Sequence, residues 1–516
     1  MPSHPYYIFP LVFASLAHGL LPRDACTALE SGLRLENTTI ISASHVSGPI
    51  NVTSMGICEP NSQVLVSSAI CRVEFVINTT STSAVYAEAW LPDTWYGRYS
   101  TVGNSGLDVS IDHGNLDYGA SLHFATIGSN NGHDGTVLDG RPFLNKPEVI
   151  NDFAFRAIHV QTVIGKQIVE AYYGSPHQKS YFLGCSTGGR QGTQAALKYP
   201  EDFDGIVAGA VPADWNHLVG LGTMLARYVG APYASASPSF ISSALWDVVA
   251  TEVLKQCDEL DGVKDEIITE PDACNFRPEA LLCNGDNTTA CLSNVQVETL
   301  RKIYQPLYGI EGQLLFPRPD PGFEASPDSQ SILNGTIYPI AGDWFRYTIF
   351  NDSSYDFSNF SLKDIALADS INPGGISTFD GDFSKFRDRG GKFLTYHGRR
   401  DWLIPSGNSK RLYNLISRTL GMPSLDSFYR LFLIPGMDHC HNGPGAGIFG
   451  QMTIASNVVN ASTHNVLLAM VDWVEGGVPP DNVVGLSLDG QQRTHCRYPQ
   501  TSVWSGEMWI CQDAGA

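Results

Sequence analysis

Positive charge is scarce in this chain. Lys and Arg number 32 against 52 Asp and Glu, leaving a formal charge of −20 and a pI near 5.0. No cluster of Lys or Arg interrupts that balance, so nothing here would grip a phosphate backbone, and a nucleic-acid partner is not expected. Long apolar runs are also missing. Past residue 19 no segment holds 18 uninterrupted apolar residues, so no membrane-spanning helix is expected. Low-complexity tracts are absent as well. The 50 glycines and 30 prolines are scattered, which fits a loop-rich globular enzyme. At 516 residues, 43% of them apolar, the chain can bury a large core or more than one.

The N-terminus does carry one short apolar run, residues 7–16 (YIFPLVFASL), followed by Ala17-His18-Gly19. Small residues at the −3 and −1 positions make residues 1–19 a secretory signal rather than an anchor. Eight N-x-Ser/Thr sequons, at Asn37, Asn51, Asn78, Asn287, Asn334, Asn351, Asn359 and Asn460, point the same way, to a secreted glycoprotein. So do the eleven cysteines. Cys257/Cys274, Cys283/Cys291 and Cys496/Cys511 fall in close pairs, as local disulfides do in an oxidising compartment. Of Cys26, Cys58 and Cys71 one must be left over; Cys26–Cys71 is expected, leaving Cys58. The acidic surface suits work outside the cell at mildly acidic pH.

The stretch Gly184-Cys185-Ser186-Thr187-Gly188 is a nucleophile-elbow pattern in a fitting context. Residues 180–183 read as a buried strand and 189–197 as a helix. A strand-turn-helix lifts the serine hydroxyl clear of the sheet and needs small flanking residues. Upstream, strands are expected at 64–70, 71–77 and 85–91; the alternation in 71–77 suggests a half-exposed antiparallel edge. Residues 99–106 read as a strand running into a glycine-rich loop. The backbone N–H of Gly103 or Asn104 is a candidate oxyanion donor beside that of Thr187, and an ordinary tight loop reads equally well. A strand at 124–128, a helix over 152–173 stopped by Gly174-Ser175-Pro176, and a strand at 203–212 complete a β-α-β alternation. This argues for an α/β fold, a doubly wound and mostly parallel sheet of α/β-hydrolase type.

About 170 residues then pass before the next hydrolase-like strand. A structureless loop of that length is implausible, so 214–384 is expected to be an inserted lid domain. Strands at 391–397 and 427–435 and a helix at 465–474 resume the pattern. The catalytic domain is therefore 20–213 plus 385–516.

A serine nucleophile needs a base, and the base needs an orienting acid; in this fold the order along the chain is Ser, Asp/Glu, His. Asp401 lies just beyond a strand end, whereas Asp380 and Asp382 precede it. After the next strand come His439 and His441. His439 is the candidate base, and His441 reads as structural. His397 precedes the acid and fits the order poorly. Cys185 adjoins Ser186 and Cys440 adjoins His439, and neither has a nearby partner. A Cys185–Cys440 bridge would hold the serine and histidine loops side by side.

Cys185-Ser186, Asp401 and His439-Cys440 resemble the CS-D-HC motif of the tannase and feruloyl esterase family. The surrounding FLGCSTGGRQG (182–192) and FDGI (203–206) agree, and the resemblance covers nearly the whole mature chain, most similar to fungal type B feruloyl esterases. It implies a serine carboxylesterase acting on hydroxycinnamoyl (feruloyl, p-coumaroyl, caffeoyl) esters of plant cell-wall polysaccharide. A tannase acting on galloyl esters is the rival within the class; a non-catalytic carbohydrate-binding glycoprotein is the rival outside it. A monomer or homodimer without an organic cofactor is expected. Residues 258–267 (DELDGVKDEI) could gather oxygen ligands for Ca²⁺ or form a solvated acidic turn; an EF-hand is excluded because the twelfth-position glutamate is missing. The resemblance implies a structural Ca²⁺ here, held by the carboxylates of Asp258, Asp261 and Asp265 and the carbonyls of Val263 and Ile267, with Cys257–Cys274 bracing the loop. An apolar slot for an aromatic acyl group is expected in the lid. Trp344, Phe345, Tyr347 and Phe350 are candidates for it, or members of a core cluster.

Overall fold

The structure, a computed structural model, describes residues 22–53, 63–107, 110–284, 290–453 and 460–513. The expected signal at 1–19, Cys58 and the Asn287 sequon lie outside the described residues. Nine strands form one sheet: β1 Thr38–Ser47, β2 Ala69–Thr80, β3 Ser83–Pro92, β4 Arg98–Val102, β5 Phe124–Ser129, β6 Lys179–Cys185, β7 Gly205–Gly209, β8 Lys392–Gly398 and β9 Tyr429–Ile434. Their spatial order is β1-β2-β3-β5-β4-β6-β7-β8-β9. The first three joints, out to β5, are antiparallel. From β5 onward every joint is parallel. This is the sheet of an α/β-hydrolase.

Alternation along the parallel strands builds two cores, one on each face. Phe182, Ile206, Ala208, Phe393 and Leu431 face one cluster. Tyr181, Leu183, Val207, Leu394 and Phe432 face the other. Helix α1 (His113–Ser121) supplies Tyr118 to the second cluster. Helices α2 (Ala157–Tyr173) and α3 (Thr187–Lys198) cover the first. Because both faces are covered, the strands read as unbroken apolar runs and not as alternating ones.

Two expectations need correction. The strand at 71–77 is not an edge: β2 lies between β1 and β3. Its polar alternation is internal. Arg72 donates through Nε and Nη2 to the Glu88 carboxylate at 2.8 and 2.7 Å, and His113 Nε2 lies 3.1 Å from it. Burial alone would raise the Glu88 carboxyl, but these partners hold it down at about 2. The helix expected over 152–173 is present but starts earlier, at Pro147, and passes through a wide π turn, Asp152–Arg156, before running regularly as α2. Asp152 is pulled aside there by the hydroxyls of Thr79 and Ser83 and by Arg156. Gly174 ends α2 in the left-handed conformation at φ +70°, as its sequence position suggests.

Between β7 and β8 the described residues add no strand to this sheet. It builds helix α4 (Trp215–Tyr228), further helices at Ser243–Cys257, Asn294–Ile303 and Leu362–Ile371, and a short hairpin. Their core, with Trp246, Leu300 and Phe316, is continuous with Leu107, Phe143 and Phe153 beneath. Trp344 and Phe345 are fully buried in that core. Helices α5 (Gly407–Leu420) and α6 (Val466–Gly476) complete the layers.

The structure pairs Cys26 with Cys71, Cys257 with Cys274, Cys283 with Cys291 and Cys496 with Cys511. The seven described sequon asparagines are all exposed. Among the described residues no helix is long and apolar enough to cross a membrane.

Candidate active site

Ser186 sits between β6 and α3 at φ +60°, ψ −124°, a conformation that costs a non-glycine residue energy and persists only where packing fixes it. The turn closes tightly. A Cβ at Gly184 would lie 2.9 Å from the Cα of Gly188, so only glycine fits. Ser186 N–H donates to Gly209 O at the end of β7, tying the elbow to the next strand.

Asp401 follows β8 and His439 follows β9. The two loops run against each other: Arg400 N–H donates to Met437 O, and a Cβ at Gly398 would meet Met437 O at 2.3 Å. The three side chains form one relay. His439 Nε2 lies 2.9 Å from Ser186 Oγ, and His439 Nδ1 lies 2.8 Å from Asp401 Oδ2. Both contacts fall within reach for proton transfer, about 2.6–3.2 Å. The other Asp401 oxygen accepts the N–H groups of Leu403 and Ile404, each at 2.9 Å. Burial would raise this carboxyl, but His439 and His397 hold it well below the usual carboxylate range, so it stays ionised. Cys185 and Cys440 are bridged, with Cα atoms 6.0 Å apart, and Cys440 adopts φ +64°. Asp380, Asp382 and His441 take no part in the relay.

His397 plays a part that chain order conceals. Its Nε2 lies 3.1 Å from Asp401 Oδ2 and 2.9 Å from Ile404 O, and its Nδ1 lies 2.7 Å from Ser409 Oγ. With two acceptors at Nε2, that nitrogen carries the proton and Ser409 donates to the other. The Asp401 carboxylate is thus gripped by two imidazoles, one fully buried. The stretch holding His397 was legible, but nothing in it says which direction the ring faces.

The predicted oxyanion donors divide. Thr187 opens α3, where an N–H has no partner inside the helix. Gly103 N–H, by contrast, donates to Leu183 O, and Asn104 N–H donates to Gln191 Oε1 at 2.9 Å. Both are committed and neither faces a developing charge. Gln191, on α3, was missed because its role depends on the strand order; its Nε2 also donates to Asn104 Oδ1.

Above Ser186 opens a cleft enclosing about 620 Å³ of space, part of it open to solvent. One wall is α4, with Trp215, Leu218 and Val219; another is Trp402 to Pro405, directly after the acid. Among the described residues, apart from Ser186 and Thr187, the only side-chain hydroxyl on it is that of Tyr338, and no charged side chain lines it. None of Trp344, Phe345, Tyr347 and Phe350 reaches it; they pack in or against the core around α4. The segment between β7 and β8 is tied to the loops that carry Asp401 and His439. Arg400 Nη2 donates to Ala325 O, Ser326 Oγ donates to Asp438 Oδ2 at 3.0 Å, and Ser406 N–H donates to Asp320 Oδ2.

The acidic loop at 258–267 satisfies much of its own polarity. Asp261 accepts Val263 N–H and the Thr269 hydroxyl, and Asp265 accepts Ile267 N–H. Among the described residues no three His, Cys, Asp or Glu side chains converge as a metal cluster. The donor types nevertheless suit a hard cation. Asp258 is buried, and Asp265 is pushed up by burial and by the charges of Asp261 and Asp258.

Comparison with known proteins agrees with this geometry. Residues 71–513 match the family model described as tannase and feruloyl esterase. The chain is 41% identical over 509 residues to a probable feruloyl esterase B-2 of Aspergillus oryzae, covering 96% of this chain and 95% of that one. The crystal structure of feruloyl esterase B from Aspergillus oryzae superposes with a TM-score of 0.91 at 37% identity, over 95% of this chain and all of that one. A tannin acyl hydrolase from Aspergillus niger shares the fold, with a TM-score of 0.75 at 20% identity over 95% of each chain.

Proposed function

This chain belongs to the tannase and feruloyl esterase family and is a carboxylic ester hydrolase, and from that premise we propose that it hydrolyses hydroxycinnamoyl esters, releasing ferulic acid and its relatives from plant cell-wall polysaccharide, by a two-step acyl transfer at Ser186. The observation that carries this reading is the Ser186–His439–Asp401 relay opening into an apolar cleft. Ser186 Oγ attacks the ester carbonyl while His439 Nε2 takes its proton. Asp401 orients the imidazole and stabilises its positive charge. The alcohol leaves with that proton, and a water activated by His439 then releases the acid. Thr187 N–H is the donor that meets the oxyanion.

The cleft favours a hydroxycinnamoyl over a galloyl group. A galloyl ring brings three hydroxyls, each losing water on entry, and this wall returns few partners for them. Comparing kcat/KM on methyl ferulate and methyl gallate tests the choice; faster turnover of gallate overturns it. Ser186→Ala tests the mechanism, since full activity in that variant is incompatible with a serine nucleophile.

Two further assignments belong to the same reading. The protein is secreted and glycosylated, which the five bridges and the exposed sequons support. A structural Ca²⁺ is held by the Asp258, Asp261 and Asp265 carboxylates with the Val263 and Ile267 carbonyls, and it takes no part in the chemistry. Elemental analysis of the purified protein before and after chelation checks this; no calcium in the untreated sample removes the site.

A further inference from the structure

Helix α4 carries two glycines in its middle turns, and the structure accounts for only one of them. A glycine inside a helix is less stable than alanine there by roughly 0.5–1 kcal/mol, so each needs a reason. At Gly220 the reason is packing: an added Cβ would lie 2.8 Å from two carbon atoms of Ile365, on the helix stacked against α4. At Gly222 no such reason exists. Its backbone is ordinary helix, and the nearest atom to an added Cβ is the Ala341 Cβ at 3.8 Å, a normal contact. Alanine would fit without moving anything. Gly222 lies instead on the wall of the cleft above Ser186, flanked along the helix by Leu218, Val219 and Leu225 and faced by Ala341. Every neighbour is apolar, so the space left by the missing side chain suits a ring and not a charged or strongly hydrated group.

We propose that Gly222 is a specificity-determining residue: the space over its Cα receives the ring of an aromatic acyl group, and the absent side chain sets how wide a substituted ring the cleft admits. This rests on the reading of the cleft as the acyl site. The wall at this point is rigid, since α4 packs on one side against the helix Leu362–Ile371 and on another against Pro339–Asp343. A side chain added at 222 therefore projects into the cleft, and the backbone has nowhere to retreat. The consequence is steric and graded. Substituents on the ring should matter more than the length of the acyl chain, and the alcohol part of the ester should matter least.

The test compares wild type, Gly222→Ala and Gly222→Leu on three esters: 4-nitrophenyl acetate, methyl cinnamate and methyl ferulate. The readout is the ratio of kcat/KM for ferulate to that for acetate, which cancels differences in the amount of active protein. The Leu variant should lower this ratio at least tenfold, mainly through KM, with cinnamate falling less than ferulate. The Ala variant should lower it severalfold and melt no lower than wild type, because the helix gains propensity and loses no packing. A ferulate-to-acetate ratio within twofold of wild type in the Leu variant overturns the proposal. If the Leu variant does not fold, the Ala variant decides: an unchanged ratio, or a lower melting temperature, overturns it. Failure of the acyl-site reading is distinguishable, because wild type itself would then hydrolyse acetate and neither aromatic ester.

Discussion

Replacing both Cys185 and Cys440 with alanine should separate two roles of one bond. The bridge joins positions 255 residues apart. In the chain-entropy picture, opening a loop of that length releases on the order of 5 kcal/mol of unfolded-state entropy, an upper value because measured effects are often smaller. A large fall in melting temperature is therefore expected and says nothing about catalysis. The catalytic role lies in what the bridge holds in place. Ser186 at φ +60° and Cys440 at φ +64° both sit in left-handed conformations that cost on the order of 1 kcal/mol or more and persist only under constraint. Released, the His439 loop can relax away from the 2.9 Å contact with Ser186 Oγ. A displacement of about 1 Å at such a contact costs on the order of a hundredfold in rate. The assay is kcat per active site, titrated by the acyl-enzyme burst, at a temperature well below the variant's own melting point. A folded double variant should retain a few per cent of wild-type kcat or less. A kcat equal to wild type in that sample would refute the claim that the bridge preorganises the dyad.

Other perturbations have signs that follow from the same geometry. His397→Leu removes a donor from Asp401, leaving more negative charge facing His439; the imidazolium is then better stabilised, and the acid limb of kcat/KM against pH should move up by up to about one unit, with an unmoved limb in the folded variant sinking the positioning role. Glu324 is buried, and burial raises it from 4.5 to about 7. Its folded pKa exceeds its unfolded one, so the native state loses stability as pH rises from about 4.5 through 7, by about 3 kcal/mol in all. Glu324→Gln should flatten the melting temperature over pH 5–8, and an unchanged slope would show that the loss arises elsewhere; Asp438, raised by burial to about 6, pulls the same way. Glu88→Gln leaves Arg72 buried with a weakened partner and should destabilise the protein by about 3 kcal/mol by denaturant unfolding, with a change under 1 kcal/mol arguing that the network is dispensable.

The Ser186–His439–Asp401 relay was legible because each member carries its own local signature. Ser186 lies in an elbow, Asp401 and His439 follow strands in the expected order, and the adjacent cysteines tie the two ends together. The parallel half of the sheet was legible for a similar reason: strands buried on both faces announce themselves as apolar runs. What stayed hidden depends on neighbours distant in sequence. Arg72 and Glu74 look solvent-facing until Glu88 is seen to pair the first, and the Ser42 and Tyr86 hydroxyls to donate to the second. The N–H groups of Gly103 and Asn104 look available until Leu183 and Gln191 claim them. The cleft could not be assembled in advance, because its walls come from α4 and from Trp402 to Pro405, while Trp344, Phe345, Tyr347 and Phe350, which could serve either the slot or a core cluster, are spent on the core.

The gap between β7 and β8 has a consequence for how the molecule is made. Lys392 pairs with Gly205, so about 190 residues must be synthesised before β7 gains its second neighbour. At ribosomal rates this takes roughly 10–40 s. Throughout that interval an apolar strand, Gly205–Gly209, presents an unpaired edge, the kind of surface that captures other chains. The acid and the base both arrive after it. A nascent chain with a finished elbow therefore has a serine and no means of activating it, and the enzyme stays silent until its last sheet strand is in place.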